Sequence, residues 1–392
     1  MKITQIEIID THCPKRPAWN PVFVRIHTDE GIHGVGEAGL AYDLGHSAAA
    51  HMIKEFAEEM LLGFDPFQTE LLWNRMLRES FWGLGGGPVV YAAMSAIDTA
   101  LWDIKGKALG VPCYQLLGGK VNAKLRTYAS QLQFDWDVYE RKTLSRPEDY
   151  GLATEKVVAE GYDSVKVDPM MFDKNGDTIY DCTKPFRQDH LNLIRARLQA
   201  IRDVLGENGD IIFECHSLPG VSSALQLGAI AEEFNCMFLE EPVNYLNSKL
   251  HHRLRDKLNV PIAAGERLYL RHGVREYLES QTVDLLQPDI GLCGGLTEAK
   301  KICDYADMYD VKIQAHVCGG PVATMAALHL ETAIPNFLIH EHHTYAIKDF
   351  NRELCLQDPQ PVDGFFQVSE DPGLGIELND EVLKNSPKMV VK

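Results

Sequence analysis

Ile211-Ile212-Phe213-Glu214-Cys215-His216, Met237-Phe238-Leu239-Glu240-Glu241-Pro242 and Ile262-Ala263-Ala264-Gly265-Glu266-Arg267 are three short apolar runs, each ending on a carboxylate. Glu240 follows Glu214 by 26 residues, and Glu266 follows Glu240 by the same interval. A β-type run recurring at that interval, with helical sequence between, predicts consecutive strand–helix units of a parallel sheet. Repeated, the unit closes a barrel, whose functional groups come from the C-terminal ends of different strands. Three acids at neighbouring strand ends would converge and repel unless a cation sits between them. An all-oxygen set favours a hard divalent ion, Mg²⁺ first. Alternation sends Glu241 away from Glu240, and the spacing selects Glu240.

Working outward, strand cores are expected at 125–129, 164–168, 211–216, 237–240, 262–266, 283–289, 312–316 and 337–341, the eight that close a parallel barrel. Residues i and i+2 of a strand share a face. Lys166 with Asp168, Glu214 with His216, and Gln314 with His316 are therefore pairs that could face the barrel mouth. Asp289, at the end of the sixth strand, is placed to hydrogen-bond His316 and fix its tautomer. Residues 169–189 break the rhythm as a polar loop expected over the strand ends; its Asp173-Lys174-Asn175-Gly176-Asp177 lacks the glycine position and later Glu of a calcium loop. In His340-Glu341-His342-His343 consecutive side chains diverge and the H-E-x-x-H spacing of a zinc site is absent.

Before the barrel, residues 2–9 and 22–28 read as strands and 32–36 completes a small antiparallel sheet. A glycine cluster at 83–87 opens a helix with Val90, Met94, Ile97, Leu101 and Ile104 on one face; it has neither the G-x-G-x-x-G context nor a Walker lysine. Leu116-Leu117-Gly118-Gly119 reads as a boundary. After Leu354 the chain becomes loop-rich and is expected to return to the N-terminal part. The expected division is 1–120 as an α+β cap, 121–354 as barrel and 355–392 as a segment rejoining the cap.

The 392 residues are 45% hydrophobic and carry a formal charge of −18, which repels nucleic acid and anionic membranes. No apolar run reaches the roughly 20 residues that span a bilayer, and the first residues have no signal-peptide core; a cytoplasmic location is the default. Nine scattered cysteines suit reduced buried thiols. An anionic small substrate would need local positive charge from a metal or lysine.

The chain resembles the enolase superfamily, in its mandelate racemase branch, and within that the acid-sugar dehydratases such as galactonate dehydratase. The resemblance is carried by Asp29-Glu30-Gly31 with Gly34-Val35-Gly36-Glu37, by the helix Ala96-Ile97-Asp98-Thr99-Ala100-Leu101-Trp102-Asp103, by Leu116-Leu117-Gly118-Gly119 and by the three carboxylates. Gln287-Pro288-Asp289 with Gly294-Gly295-Leu296-Thr297, His316 and Glu341 complete it. It implies an α/β fold, a modified (β/α)7β TIM-like barrel under an α+β cap formed by both terminal segments, and a homo-oligomer. It also implies Mg²⁺ on Glu214, Glu240 and Glu266, abstraction of the proton α to a carboxylate, Asp289–His316 as a catalytic dyad, and Glu341 donating a hydrogen bond to the substrate carboxylate. Racemases of the branch carry Lys-x-Lys where this chain has Lys166-Val167-Asp168. The dehydratases place a histidine where His216 stands, two residues after a first ligand that is usually Asp and here is Glu214. The resemblance thus implies His216 as base, His316 as acid and Lys166 as a positive group near the substrate carboxylate or metal, with a 2-keto-3-deoxy acid as product. Asp168 is expected to pair with Lys166, to bind a substrate hydroxyl or to be structural. Substrate contacts are also expected from the loop 12–20, with Trp19 and Asn20, from the region around Trp82 and from the loop 169–189. Alternatives are a racemase, epimerase or cycloisomerase using Lys166 against His316, and a non-catalytic binder of a sugar acid.

Overall fold

The computed structural model describes residues 1–13, 19–42 and 44–392. Strands β1 (Ile3–Asp10), β2 (Val22–Thr28) and β3 (His33–Ala38) open the chain. The barrel strands follow: β4 (Leu125–Ser130), β5 (Ser164–Val167), β6 (Asp210–Glu214), β7 (Phe238–Glu240), β8 (Ile262–Ala264), β9 (Leu285–Leu286), β10 (Lys312–Ile313) and β11 (His340–His343). The short β12 (Phe365–Phe366) and β13 (Lys388–Val391) come last.

The barrel strands lie parallel in the order β10-β9-β8-β7-β6-β5-β4-β11. Ile313 N donates to Asn336 O at 2.8 Å and Leu338 N to Ile313 O at 2.9 Å, which closes the ring between β10 and β11. Helices follow the first seven strands, the longest being Gln188–Leu205, and the topology is the (β/α)7β barrel that the resemblance implies. Several strands stop short of the sequence expectation. Those expected at 211–216 and 262–266 end at Glu214 and Ala264, because the residues beyond leave the ladder to turn into the mouth. Inside, Tyr128, Ile212, Phe238, Ala263, Leu285 and Ile339 form an apolar floor. Ile212, Phe238 and Ile339 lie two residues before Glu214, Glu240 and Glu341, one layer down on the same face.

The cap sheet runs β13-β1-β2-β3, antiparallel throughout, so the segment after the barrel pairs with the first strand of the chain. The helix Gly87–Leu109 packs directly on β3. A Cβ on Gly36 would lie 1.9 Å from Ala96 O and one on Gly34 2.2 Å from Ala100 O, so the backbones approach as only glycine permits. The cap grips the barrel through polar contacts. Asp98 accepts from Thr297 N (2.8 Å) and Thr297 Oγ1 (2.6 Å), Ser95 Oγ from Gly294 N (3.0 Å), and Glu37 from Gly320 N (2.5 Å) and Ala323 N (2.9 Å). The donors lie in the loops after β9 and β10 and at the starts of the helices Gly295–Asp307 and Pro321–Thr332, where unpaired N–H groups need acceptors. No described helix is long and apolar enough to cross a membrane, and all nine cysteines are free thiols.

Candidate active site

Glu214, Glu240 and Glu266 each place a carboxylate oxygen within 4.8 Å of the other two. Register sets Glu214 beside Glu240. Glu266 arrives through a turn: Gly265 takes φ +152°, and a Cβ there would lie 2.4 Å from Gln287 N. Lys166, fully buried, sits among them, its Nζ 2.7 Å from Glu240 Oε1, 2.9 Å from Glu341 Oε1 and 3.3 Å from Glu214 Oε1. Gln131 Nε2 donates to Glu214 Oε2 at 2.6 Å. Burial drives the Glu240 carboxyl up to about 8 against the pull of Lys166. Burial also works against ionisation of Glu266, yet His316, Arg267 and His216 together hold it at about 2. The residues fit a hard divalent cation. The donor set is all oxygen, and Glu240 Oε2 is buried with no hydrogen-bond partner among the described residues, an orphan lone pair within the cluster.

Two imidazoles flank the three carboxylates. His216 Nδ1 donates to Asp168 Oδ2 at 2.8 Å, and its Nε2 lies 3.3 Å from Glu214 Oε1. His316 Nδ1 donates to Asp289 Oδ2 at 2.7 Å, and its Nε2 lies 3.5 Å from Glu266 Oε2. Burial disfavours both imidazolium ions, but Glu214 and Asp168 on one side, and Glu266 and Asp289 on the other, outweigh it and lift each ring to about 10. Both Nε2 atoms face a cavity of about 380 Å³, the size of a small-ligand site, lined also by Tyr42, Phe134, Arg141, Arg267, His343 and Tyr345.

Residues 150–382 match the family described as Enolase C-terminal domain-like, and residues 15–118 match the Mandelate racemase / muconate lactonizing enzyme, N-terminal domain. The chain belongs to the enolase superfamily. It is 32% identical to the D-galactonate dehydratase of Pectobacterium atrosepticum over 99% of this chain and 96% of that one. It is likewise 32% identical to the D-xylonate dehydratase of Haloferax volcanii, over 91% and 83%. The crystal structure of a member of the enolase superfamily from Salmonella Typhimurium superposes with a TM-score of 0.96 at 48% identity, covering all of both chains.

In this enolase-superfamily chain several residues stand elsewhere than the sequence suggests. Asp168 does not pair with Lys166 and does not face the cavity; it is fully buried, held by the N–H of Met170, and spends its other oxygen on His216. Glu341 accepts hydrogen bonds in the structure where the sequence suggests a donor: from Ser130 Oγ (2.6 Å), Lys166 and Val317 N (2.9 Å), and Lys166, first among its charged neighbours, outweighs burial to keep its carboxyl well below the usual range. Trp19 is fully buried behind the cavity wall, its ring 4.4 Å from that of Tyr345. Asn20 is buried too, and its N–H bonds Ala41 O, one residue from the cavity-lining Tyr42. Trp82 is 76% exposed on the cap and lines no part of the cavity. Of the loop 12–20, residues 14–18 lie outside the described residues. Asp173 turns its carboxylate onto the N–H groups of Asn175 and Asp177.

Sequence reasoning missed Gln131, which lies just past the end of the first barrel strand, and the Glu241–Arg267 ion pair. Glu241 takes φ 44° and turns to Arg267, which also meets Glu266 at 2.5 Å. The strand-end rule, applied to β4, would have pointed to Gln131; Glu241 gives no signal, because its orientation comes from a left-handed backbone angle that alternation does not anticipate.

Proposed function

We propose that the protein is a Mg²⁺-dependent dehydratase of an acid sugar, which removes the proton α to the carboxylate, expels the β-hydroxyl and yields a 2-keto-3-deoxy acid. One observation carries the reading: two Asp-held imidazoles aim their Nε2 atoms into one cavity from either flank of a buried carboxylate trio. The names of the relatives, D-galactonate and D-xylonate dehydratase, support the reaction class. Glu214, Glu240 and Glu266 would hold Mg²⁺, whose charge opposes the negative charge that develops on the substrate carboxylate as the α-proton leaves.

The protein's own groups do the proton work. His216 Nε2 takes the α-proton, with Asp168 fixing the ring toward the cavity; a divalent cation on the trio would offset the Glu214 and Glu266 charge that lifts this ring to about 10, and so would leave Nε2 its lone pair. His316 Nε2–H protonates the β-hydroxyl as its C–O bond breaks, and water departs. The enol left behind tautomerises to the ketone. Lys166 is sealed beneath the carboxylates with three of them against its ammonium, which argues against the racemase reading that makes it a base facing His316.

The test is purified protein with Mg²⁺ against a set of aldonic and aldaric acids, followed by detection of 2-keto-3-deoxy products and by NMR in D₂O. A 2-keto-3-deoxy product is expected from at least one acid. Exchange of the α-proton without elimination would replace the dehydratase with an epimerase, and neither exchange nor product would leave a binder.

A further inference from the structure

Strand β11 alternates, and its two faces have different occupations. His340 and His342 face away from the mouth, their rings 5.0 and 5.4 Å from that of Phe366, their Nδ1 atoms on Glu331 and the Tyr162 hydroxyl. Glu341 and His343 face inward. Glu341 is committed to Ser130, Lys166 and Val317 N, whereas His343, one step nearer the mouth, lines the cavity. Its ring stacks on Tyr345 with centroids 5.1 Å apart and planes at 26°.

The tautomer of His343 is fixed by a donor of known kind. The backbone N–H of Tyr345 reaches Nδ1 at 3.0 Å, and a backbone N–H can only donate, so Nδ1 carries the lone pair. Burial pushes the ring down to about 3, so it is neutral at working pH and its one proton lies on Nε2. Among the described residues the Nε2 atoms of His340 and His342 are sealed without partners, whereas that of His343 makes no hydrogen bond to them and is not sealed, which leaves it open to the cavity its ring lines. In the closed ring of eight strands β11 stands opposite β7, the strand of Glu240. A chain seated with its carboxylate end on the trio therefore extends across the mouth toward β11.

We infer that His343 is a specificity-determining residue, whose Nε2–H donates to a hydroxyl oxygen of the substrate's chain beyond the two reacting carbons. The inference rests on the acid-sugar reading above and deepens it. A rigid neutral donor pairs with a hydroxyl oxygen, and a substrate lacking that oxygen would leave the N–H unsatisfied, which is the strongest form of discrimination a polar site offers.

The experiment measures binding of D-galactonate, D-xylonate and lactate by calorimetry, each with Mg²⁺, on the full chain. Lactate retains the carboxylate and α-hydroxyl and has no distal hydroxyls. Two variants separate the ring's functions: His343→Asn keeps an acceptor where Nδ1 stands and loses the reach of Nε2, whereas His343→Gln returns an N–H near the Nε2 position. The expected result is that His343→Asn weakens the tighter-binding sugar acid about tenfold and leaves lactate unchanged, with His343→Gln recovering most of the loss. Equal weakening of sugar acid and lactate, no weakening of either, or no recovery in His343→Gln overturns the inference alone. Wild-type protein that binds no acid of the aldonic and aldaric set overturns the proposed function and this inference with it.

Discussion

The two Asp–His pairs match at the ring and differ behind it. In both, Nδ1 meets a carboxylate at 2.7–2.8 Å and Nε2 faces a trio carboxylate at 3.3–3.5 Å. Asp289–His316 is held from outside the barrel: Gly39 N of the cap donates to Gly291 O (2.9 Å), and Glu37 and Asp98 grip the helix starts that follow the loops after β10 and β9. Asp168–His216 is held from within the barrel. Gln133 accepts from Asp168 N at 3.2 Å and donates to Gln131, which bonds Glu214. Two equivalent proton-transfer groups can therefore be built on unrelated supports, and the supports can be broken one at a time.

The sharpest break is at the rings. His216→Asn should abolish both α-proton exchange in D₂O and dehydration, whereas His316→Asn should retain exchange and lose dehydration, each by about 10³-fold in turnover. Equal loss of exchange in both variants would make the two pairs functionally alike and undo the acid and base assignments. Glu240, between the flanks, should spare neither: Glu240→Gln is expected to weaken Mg²⁺ binding about 10²-fold, by analogy with losses seen around metal sites, read by calorimetry. One rung lower, Asp168→Asn and Asp289→Asn should each cost about 10²-fold, with the same split between exchange and elimination as their rings. Removing the cap's hold is milder. Glu37→Ala leaves two buried N–H groups without acceptors, a loss of about 1–3 kcal/mol in stability, and should slow elimination more than exchange; equal slowing would mean that the cap supports both sides.

The smallest effect comes from histidines that lack such partners. Burial lowers His251 and His329 to about 4, while an unfolded histidine titrates near 6.5. Above that value neither state is protonated and nothing is lost. As pH falls from about 6.5 toward 4 the unfolded chain gains protons that these two rings refuse in the native state, so their contribution to stability should decline across that window, read in denaturant melts as the difference between the protein and a His251→Gln, His329→Gln variant. No pH dependence of that difference would place both rings in solvent contact.

What the sequence discloses follows the same division. Asp289 and His316 lie just past β9 and β10 and form an isolated parallel bridge in line with that ladder, so strand-end reasoning reaches them. His216 was expected on the face of Glu214 by strand alternation, but the strand ends at Glu214 and His216 enters the mouth at φ 50° through a turn. Its position was legible and the route was not, and with the route went its partner Asp168. The carboxylate trio was legible because period and apolar flanks are local properties. The burial of Trp19 behind Tyr345 and the capture of Glu341 by Lys166 depend on residues far apart in sequence, which single-chain patterns do not encode.

The pairing of β13 with β1 has a consequence for synthesis. β1 leaves the ribosome well before its partner β13, an interval on the order of a minute at cellular elongation rates. Throughout it, β2 can satisfy one edge of β1 while the other shows unpaired backbone alongside Ile6 and Ile8, the kind of edge that recruits strands from other chains. Loss of β13 would make that transient exposure permanent, so a chain without it is expected to be more prone to aggregate.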